Sequence, residues 1–140
     1  MAKLRHIAVT VPDPEATAAF YEKTFGLKRV YKSNFGVMMS DGTVSLAILH
    51  FPTNETAGDE RGKDFFGLHH MGFVVDDMDE ARAKIKENGG RYHMKVPSRP
   101  NSETEEKYRD PNGVVFDIVT EDYANSTWYP KPKAKPEAAD

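Results

Sequence analysis

The 140-residue chain contains no cysteine. Disulfide frameworks, thiolate zinc sites, iron–sulfur clusters and cysteine nucleophiles are thereby excluded. It also lacks a basic excess: 19 Lys+Arg against 22 Asp+Glu leave a formal net charge of −3. That balance does not neutralise a phosphate backbone, so nucleic acid is not expected as a partner. The opening residues Met1-Ala2-Lys3-Leu4-Arg5-His6 hold no apolar signal-peptide core. No apolar run is long enough to span a bilayer, so no membrane partner is expected either. The expectation is a cytoplasmic protein. Its length suits one domain with a core large enough to need no staples.

What the chain does have is an internal repeat. LRHIAVTVPDPEATAAFYEKTFG (residues 4–26) aligns without a gap on LHHMGFVVDDMDEARAKIKENGG (residues 68–90), at an offset of 64. Leu4, His6, Val11, Asp13, Ala19 and Gly26 meet the same residue type at Leu68, His70, Val75, Asp77, Ala83 and Gly90. Each copy opens on an apolar, β-branched segment that reads as a strand. Each then meets a helix start: Asp13 as N-cap with Pro14 at the first helical position, and Asp77 as N-cap with Glu80 three residues on. Glycine ends each helix, at Gly26 and at Gly89-Gly90. Ala16, Ala19 and Phe20 are expected to face a sheet from the first helix, and Ala81 and Ile85 from the second.

Three short strands follow each helix: residues 27–32, 35–40 and 44–51 in the first copy, 91–96, 105–109 and 114–120 in the second. Asp41-Gly42 and Asp110-Pro111-Asn112-Gly113 supply turns. The unit is β-α-β-β-β, used twice. Residues 1–122 form one domain, with module one over 3–51 and module two over 67–122. Residues 52–64 read as a linker. Residues 123–140 read as a C-terminal arm, mostly mobile after 131, with Trp128 docked on the body because its large apolar area is otherwise wasted.

Alternation assigns the strand faces. Ile7, Val9 and Val11, with Met71, Phe73 and Val75, should pack under the helices. The other face carries Leu4, His6, Ala8 and Thr10, with Leu68, His70, Gly72 and Val74. There the aligned histidines stand beside small residues that leave room for a ligand. On the last strand Asp117 lies between Phe116 and Ile118. A carboxylate within an apolar strand is costly unless it is paired, hydrogen-bonded or metal-bound. Pairing with Arg5, Arg91 or Arg109 is one way out. The other is convergence with His6 and His70 on one cavity, because two imidazoles and one carboxylate suit Fe(II) and related divalent ions. By alternation His69 falls on the opposite face from His70 and reads as structural. His50 and His93 either line the cavity or are exposed.

With its histidine near the start of each first strand, this repeat resembles the vicinal oxygen chelate superfamily of glyoxalases, bleomycin-resistance proteins and extradiol dioxygenases. The likeness covers about residues 3–122 and is carried by RHIAVTVPDPEATAAFYEKTFGL, HHMGFVVDDMDEA and YRDPNGVVFDIVTE. The resemblance implies an α+β fold in which two tandem βαβββ modules form a curved mixed sheet around a metal-binding cavity. It implies His6, His70 and Asp117 as metal ligands. The fourth position of the glyoxalase and epimerase types falls at Ala47, which cannot ligate. The His-His-acid set that remains is the extradiol dioxygenase arrangement, with Asp in place of the usual Glu.

The expected function is therefore a metal-dependent small-molecule enzyme, dioxygenase-like, that binds its substrate through adjacent oxygens. Fe(II) or Mn(II) is the expected ion, with Zn, Ni or Mg as alternatives. Tyr108 and then His50 are the candidates for moving a substrate proton. A metal-dependent lyase or isomerase of glyoxalase type, and a non-catalytic resistance protein that binds a small molecule, stand as alternatives. Exposed sheet edges and the resemblance together lead to the expectation of a homodimer.

Overall fold

The computed structural model describes residues 1–58, 61–96 and 105–129. The first half runs β1 (Lys3–Thr10), α1 (Pro14–Phe25), β2 (Lys28–Ser33), β3 (Gly36–Ser40) and β4 (Ser45–Leu49). One helical turn, α2 (Asn54–Ala57), interrupts the stretch expected to be a plain linker, and Thr53 and Thr56 close a capping box on it. The second half runs β5 (Gly67–Val74), α3 (Met78–Glu87), β6 (Arg91–Lys95), β7 (Glu106–Arg109) and β8 (Val115–Val119). The described chain closes with α4 (Glu121–Tyr123) and a π-helical turn over Ala124–Trp128. No described helix is long and apolar enough to cross a membrane.

The two βαβββ modules join edge to edge in one eight-stranded mixed sheet, ordered β2-β3-β4-β1-β5-β8-β7-β6. Within each module the first strand pairs parallel with the last, β1 with β4 and β5 with β8. Between modules β1 and β5 run antiparallel at the centre. Each helix starts where its cap was read: Asp13 accepts from the Ala16 N–H and Asp77 from the Glu80 N–H. Gly26 ends α1 at φ 71°, a left-handed value that suits glycine.

The two helices cover one face of the sheet. On α3, Ala81 and Ile85 pack against Phe73, Phe116 and Ile118, as their spacing predicts. On α1 the buried stripe is rotated from the expected one. Ala18 is fully buried and Tyr21 packs beside it on Val37, Met39 and Ile48, while Phe20 is 55% exposed. Pro14, Thr17, Ala18 and Tyr21 follow the i, i+3, i+4, i+7 spacing of a helix face. A small residue at its centre lets the helix backbone approach the sheet, where Phe20 would hold it off.

The opposite, concave face is the more buried. His6, Ala8 and Thr10 are buried on β1, whereas Ile7 and Val9 remain partly open. The C-terminal segment closes over this face. Thr120 caps α4, and the π-helical turn delivers Trp128, 1% exposed, against Val74, Val119 and Ala124. Its indole stacks on the His6 ring with centroids 4.6 Å apart and planes 11° from parallel. Trp128 thus docks as expected; the mobility expected after residue 131 lies outside the described residues.

The close approach needs Gly72. A Cβ built there would lie 2.6 Å from Trp128 Cη2 and 3.0 Å from His6 Cβ. Gly72→Ala should therefore unseat the indole and cost about 1–3 kcal/mol through overpacking. Trp128 is the only tryptophan, so urea unfolding followed by its emission tests this directly. A lower midpoint and a red-shifted native maximum are expected; an unchanged maximum contradicts the placement.

Candidate metal centre

The registers of the two modules explain which side chains meet. Ala8 pairs with Ala47 in module one, and Gly72 pairs with Asp117 in module two. Ala8 and Gly72 are equivalent at the offset of 64, so Ala47 is the counterpart of Asp117 and contributes no donor. The β1–β5 pairing brings the His6 and His70 rings to 5.4 Å between centroids. Asp117, fully buried, joins them from β8, with Oδ2 3.2 Å from His70 Nε2. A fourth donor comes from Glu105, immediately before β7. His6, His70, Glu105 and Asp117 each offer a ligand atom within 4.8 Å of the others.

A strand irregularity governs the histidines. The β1–β5 register shifts by one between Ala8 and Val9, so His69 is an extra residue opposite β1. Such a bulge breaks alternation. His69 is consequently not turned away from His70, as strict alternation requires: its Nδ1 lies 2.8 Å from His70 Nδ1, and its Nε2 lies 3.1 Å from the Ala57 carbonyl. The Ala57 oxygen can only accept, so His69 Nε2 donates to it. His69 Nδ1 and His70 Nδ1 share one hydrogen bond, and His70 Nε2 faces Asp117. His6 is oriented likewise by Ser45, whose Oγ is 3.1 Å from Nδ1. Ligating imidazoles characteristically have their second nitrogen held in this way.

The electrostatics follow from burial. Desolvation, with His70 adding to it, pushes the His6 imidazole down to about 3, so its ring stays neutral. Burial and the neighbouring Asp117 raise the Glu105 carboxyl to about 7. The Tyr123 hydroxyl donates to Glu105 Oε2 at 2.9 Å, and burial raises that phenol. Asp117 Oδ2 meets no donor in hydrogen-bonding geometry although His70 Nε2 is close. A buried carboxylate oxygen and an imidazole nitrogen at that distance are held by a proton on the ring or by a cation beside them. Two imidazoles and two carboxylates, one with a buried oxygen lacking a hydrogen bond, therefore fit a divalent ion.

The structure brings His6, His70 and Asp117 together. It does not bring Tyr108 or His50 to them. Tyr108 lies on the helix-covered face, with its hydroxyl donating to Glu106 Oε2 at 2.9 Å. Glu106 is held in turn by Arg82 of α3. His50 is exposed, 3.2 Å from the Val11 carbonyl and stacked on Phe66. Asp117 takes its ion pair from Lys107, Nζ to Oδ1 at 2.6 Å, and not from an arginine. Glu105 and Lys107 are the residues the sequence reading passed over. Alternation carried backward from Asp117 through the Asp110–Gly113 turn could have found them, since Lys107 pairs with Asp117 and Glu105 shares its face.

Comparison with known proteins shows the family and the fold. The model of the Glyoxalase/Bleomycin resistance protein/Dioxygenase superfamily matches residues 3–118. An ethylmalonyl-CoA/methylmalonyl-CoA epimerase from Cereibacter sphaeroides is 33% identical over 100 residues, 65% of this chain and 74% of that protein. A methylmalonyl-CoA epimerase structure in complex with methylmalonyl-CoA and NH4+ superposes with a TM-score of 0.66 at 25% identity, covering 86% of this chain and 94% of that one. A hypothetical protein from Bacillus halodurans C-125 shares the fold with a TM-score of 0.66 at 19% identity, over 99% of both chains.

Burial of Glu105 and His6 has a measurable consequence in protein treated with chelator. Glu105 titrates near 7 when folded and near 4.3 when unfolded. The folded state binds the extra proton, so this stabilisation is full below about pH 4 and is lost as pH rises through about 7. His6 has the opposite sign: lowered from 6.5 to about 3, it costs stability as pH falls below 6.5. The two oppose each other between about pH 4.5 and 6.5. Glu105→Gln removes only the first. Relative to wild type it should gain on the order of 2 kcal/mol between pH 4.5 and 7.5, read from urea midpoints at the two pH values.

Proposed function

The chain belongs to the Glyoxalase/Bleomycin resistance protein/Dioxygenase superfamily, and we propose that it works there as a metal-dependent isomerase or lyase, moving a proton on a small substrate held through two adjacent oxygens. The observation that carries this reading is the pair of carboxylates among the imidazoles. Ala47 leaves the usual fourth position empty of a donor, and Glu105 supplies one from another strand. The set is then of the four-donor kind that the resemblance associates with glyoxalases and epimerases. The relatives named as epimerases favour this over the ring-cleaving dioxygenase expected from three ligands alone.

His6, His70 and Asp117 would hold the ion, with Glu105 as fourth donor or as the base beside it. A divalent ion bound there polarises the substrate oxygens as a Lewis acid; the imidazole and carboxylate donors suit Fe(II) or Mn(II), and Zn, Ni and Mg are the alternatives to test. Glu105, which burial raises to about 7 in the metal-free protein and which a bound cation would lower, can as a carboxylate take a proton from the substrate and then return it, as a general acid–base requires. Tyr123 holds Glu105 Oε2 in place. Trp128 covers His6 and excludes water from the imidazole side. An acyl thioester of the methylmalonyl-CoA or ethylmalonyl-CoA kind is the first substrate to try. A homodimer belongs to the same proposal, since β2 and β6 end the sheet as open edges; light scattering giving 15.7 kDa at micromolar concentration would refute it.

The test combines metal analysis with proton exchange. Protein purified without chelator should hold about one divalent ion per chain. His6→Ala and His70→Ala should each abolish that binding with the fold kept. In D2O, NMR should show deuterium entering the carbon next to the thioester carbonyl of methylmalonyl-CoA. Glu105→Gln should slow this roughly 100-fold or more while circular dichroism stays unchanged. Full metal occupancy in both histidine variants, or oxygen uptake with catechols and no deuterium exchange, would overturn the reading.

A further inference from the structure

Lys107 stands inside the donor cluster. Its Nζ is 2.6 Å from Asp117 Oδ1, 3.5 Å from His70 Nε2 and 3.9 Å from Glu105 Oε1. It thus lies against three of the four residues able to hold an ion. The side chain is only 13% exposed, and it rises from β7 directly opposite Asp117 in the antiparallel register. A rigid strand holds it there.

The chemistry of the neighbours gives the ammonium its task. His70 Nε2 and Asp117 Oδ2 lie 3.2 Å apart, and the lysine Nζ reaches both residues. We propose that Lys107 is the resident cation of this centre and sets its affinity for metal: the ammonium neutralises the acceptors of Asp117 and His70, and a divalent ion binds only by displacing it. This rests on the metal-dependent reading above and deepens it. An ion coordinated by Asp117 and His70 would sit about 2.0–2.2 Å from each donor, in the space against which Nζ now lies. Two cations cannot share that volume, because like charges repel strongly where water is scarce. The short ammonium–carboxylate contact is a charge-assisted hydrogen bond, which the entering ion must break. Lys107 therefore holds the affinity for metal below what the same four donors would have without it.

Binding measurements on the full chain test this without recourse to activity. Wild type and Lys107→Met, both stripped with chelator and dialysed, are titrated with Mn(II) and with Zn(II) by calorimetry. Lys107→Met should bind each ion at least tenfold more tightly. Its metal-free form should melt below wild type, because Asp117 loses its partner, and its melting point should rise more than that of wild type when metal is added. Lys107→Arg keeps the charge and should bind as wild type does; Lys107→Gln replaces the Met variant if that one fails to fold. Equal affinity in wild type and Lys107→Met overturns the proposal and leaves the metal reading in place. No binding by either protein overturns both. Tight binding by Lys107→Met, with no deuterium exchange by the loaded wild type, supports the resident cation and overturns the isomerase reading.

Discussion

A fully buried carboxylate, Asp117, faces His70 Nε2 across 3.2 Å, and the surroundings make this contact tolerable. Left alone, such a carboxylate would cost more than it could recover by hydrogen bonding. A cation beside it reverses the balance. Lys107 supplies one from β7, and the four-donor set offers a place for another. The contact also depends on a relay behind it. The Ala57 carbonyl fixes His69, and His69 holds the far nitrogen of His70. The bulge at His69 is what lets two consecutive strand residues meet in this way.

Duplication of the module produced two unequal halves. On the concave face of module one, Ala8, Met38 and Ala47 pack with Tyr31 and Leu49. The matching face of module two carries Asp117, Lys107 and Glu105. Module one still contributes His6 and its orienting partner Ser45. The centre is thus assembled across the β1–β5 seam, with both carboxylates from one side. That asymmetry gives a substrate an apolar wall in one module and the charged groups in the other.

Much of this was legible in the sequence. The repeat could be read because its identities fall at strand, cap and helix-stop positions with one local logic. His6, His70 and Asp117 could be read because a titratable group in an otherwise apolar strand stands out. The segment Glu105-Glu106-Lys107-Tyr108-Arg109 could not be read in the same way. It is polar on both faces, since Glu106 answers Arg82 under α3 while Glu105 and Lys107 answer Asp117. Without an apolar–polar contrast the segment itself gives no direction; only the register to Asp117 across the turn does, and apart from it Tyr108 looks as available as its neighbours. His69 was hidden by a register shift, which no residue type announces. The face of α1 was misjudged because large apolar residues suggest burial, whereas here the small Ala18 occupies the contact and Phe20 stays outside.

Burial under Trp128 links stability to chemistry. Desolvation holds His6 neutral, which preserves the lone pair a metal needs, and it brings Glu105 toward neutrality, where a carboxyl can serve as both acid and base. Both effects require that water stay out, and the indole stacked on His6 keeps it out on that side. Glu105 and Lys107, each 13% exposed, are the most open members of the cluster among the described residues. The carboxyl and the ammonium thus stand outermost, and the imidazoles and Asp117 lie behind them, drier and more firmly held.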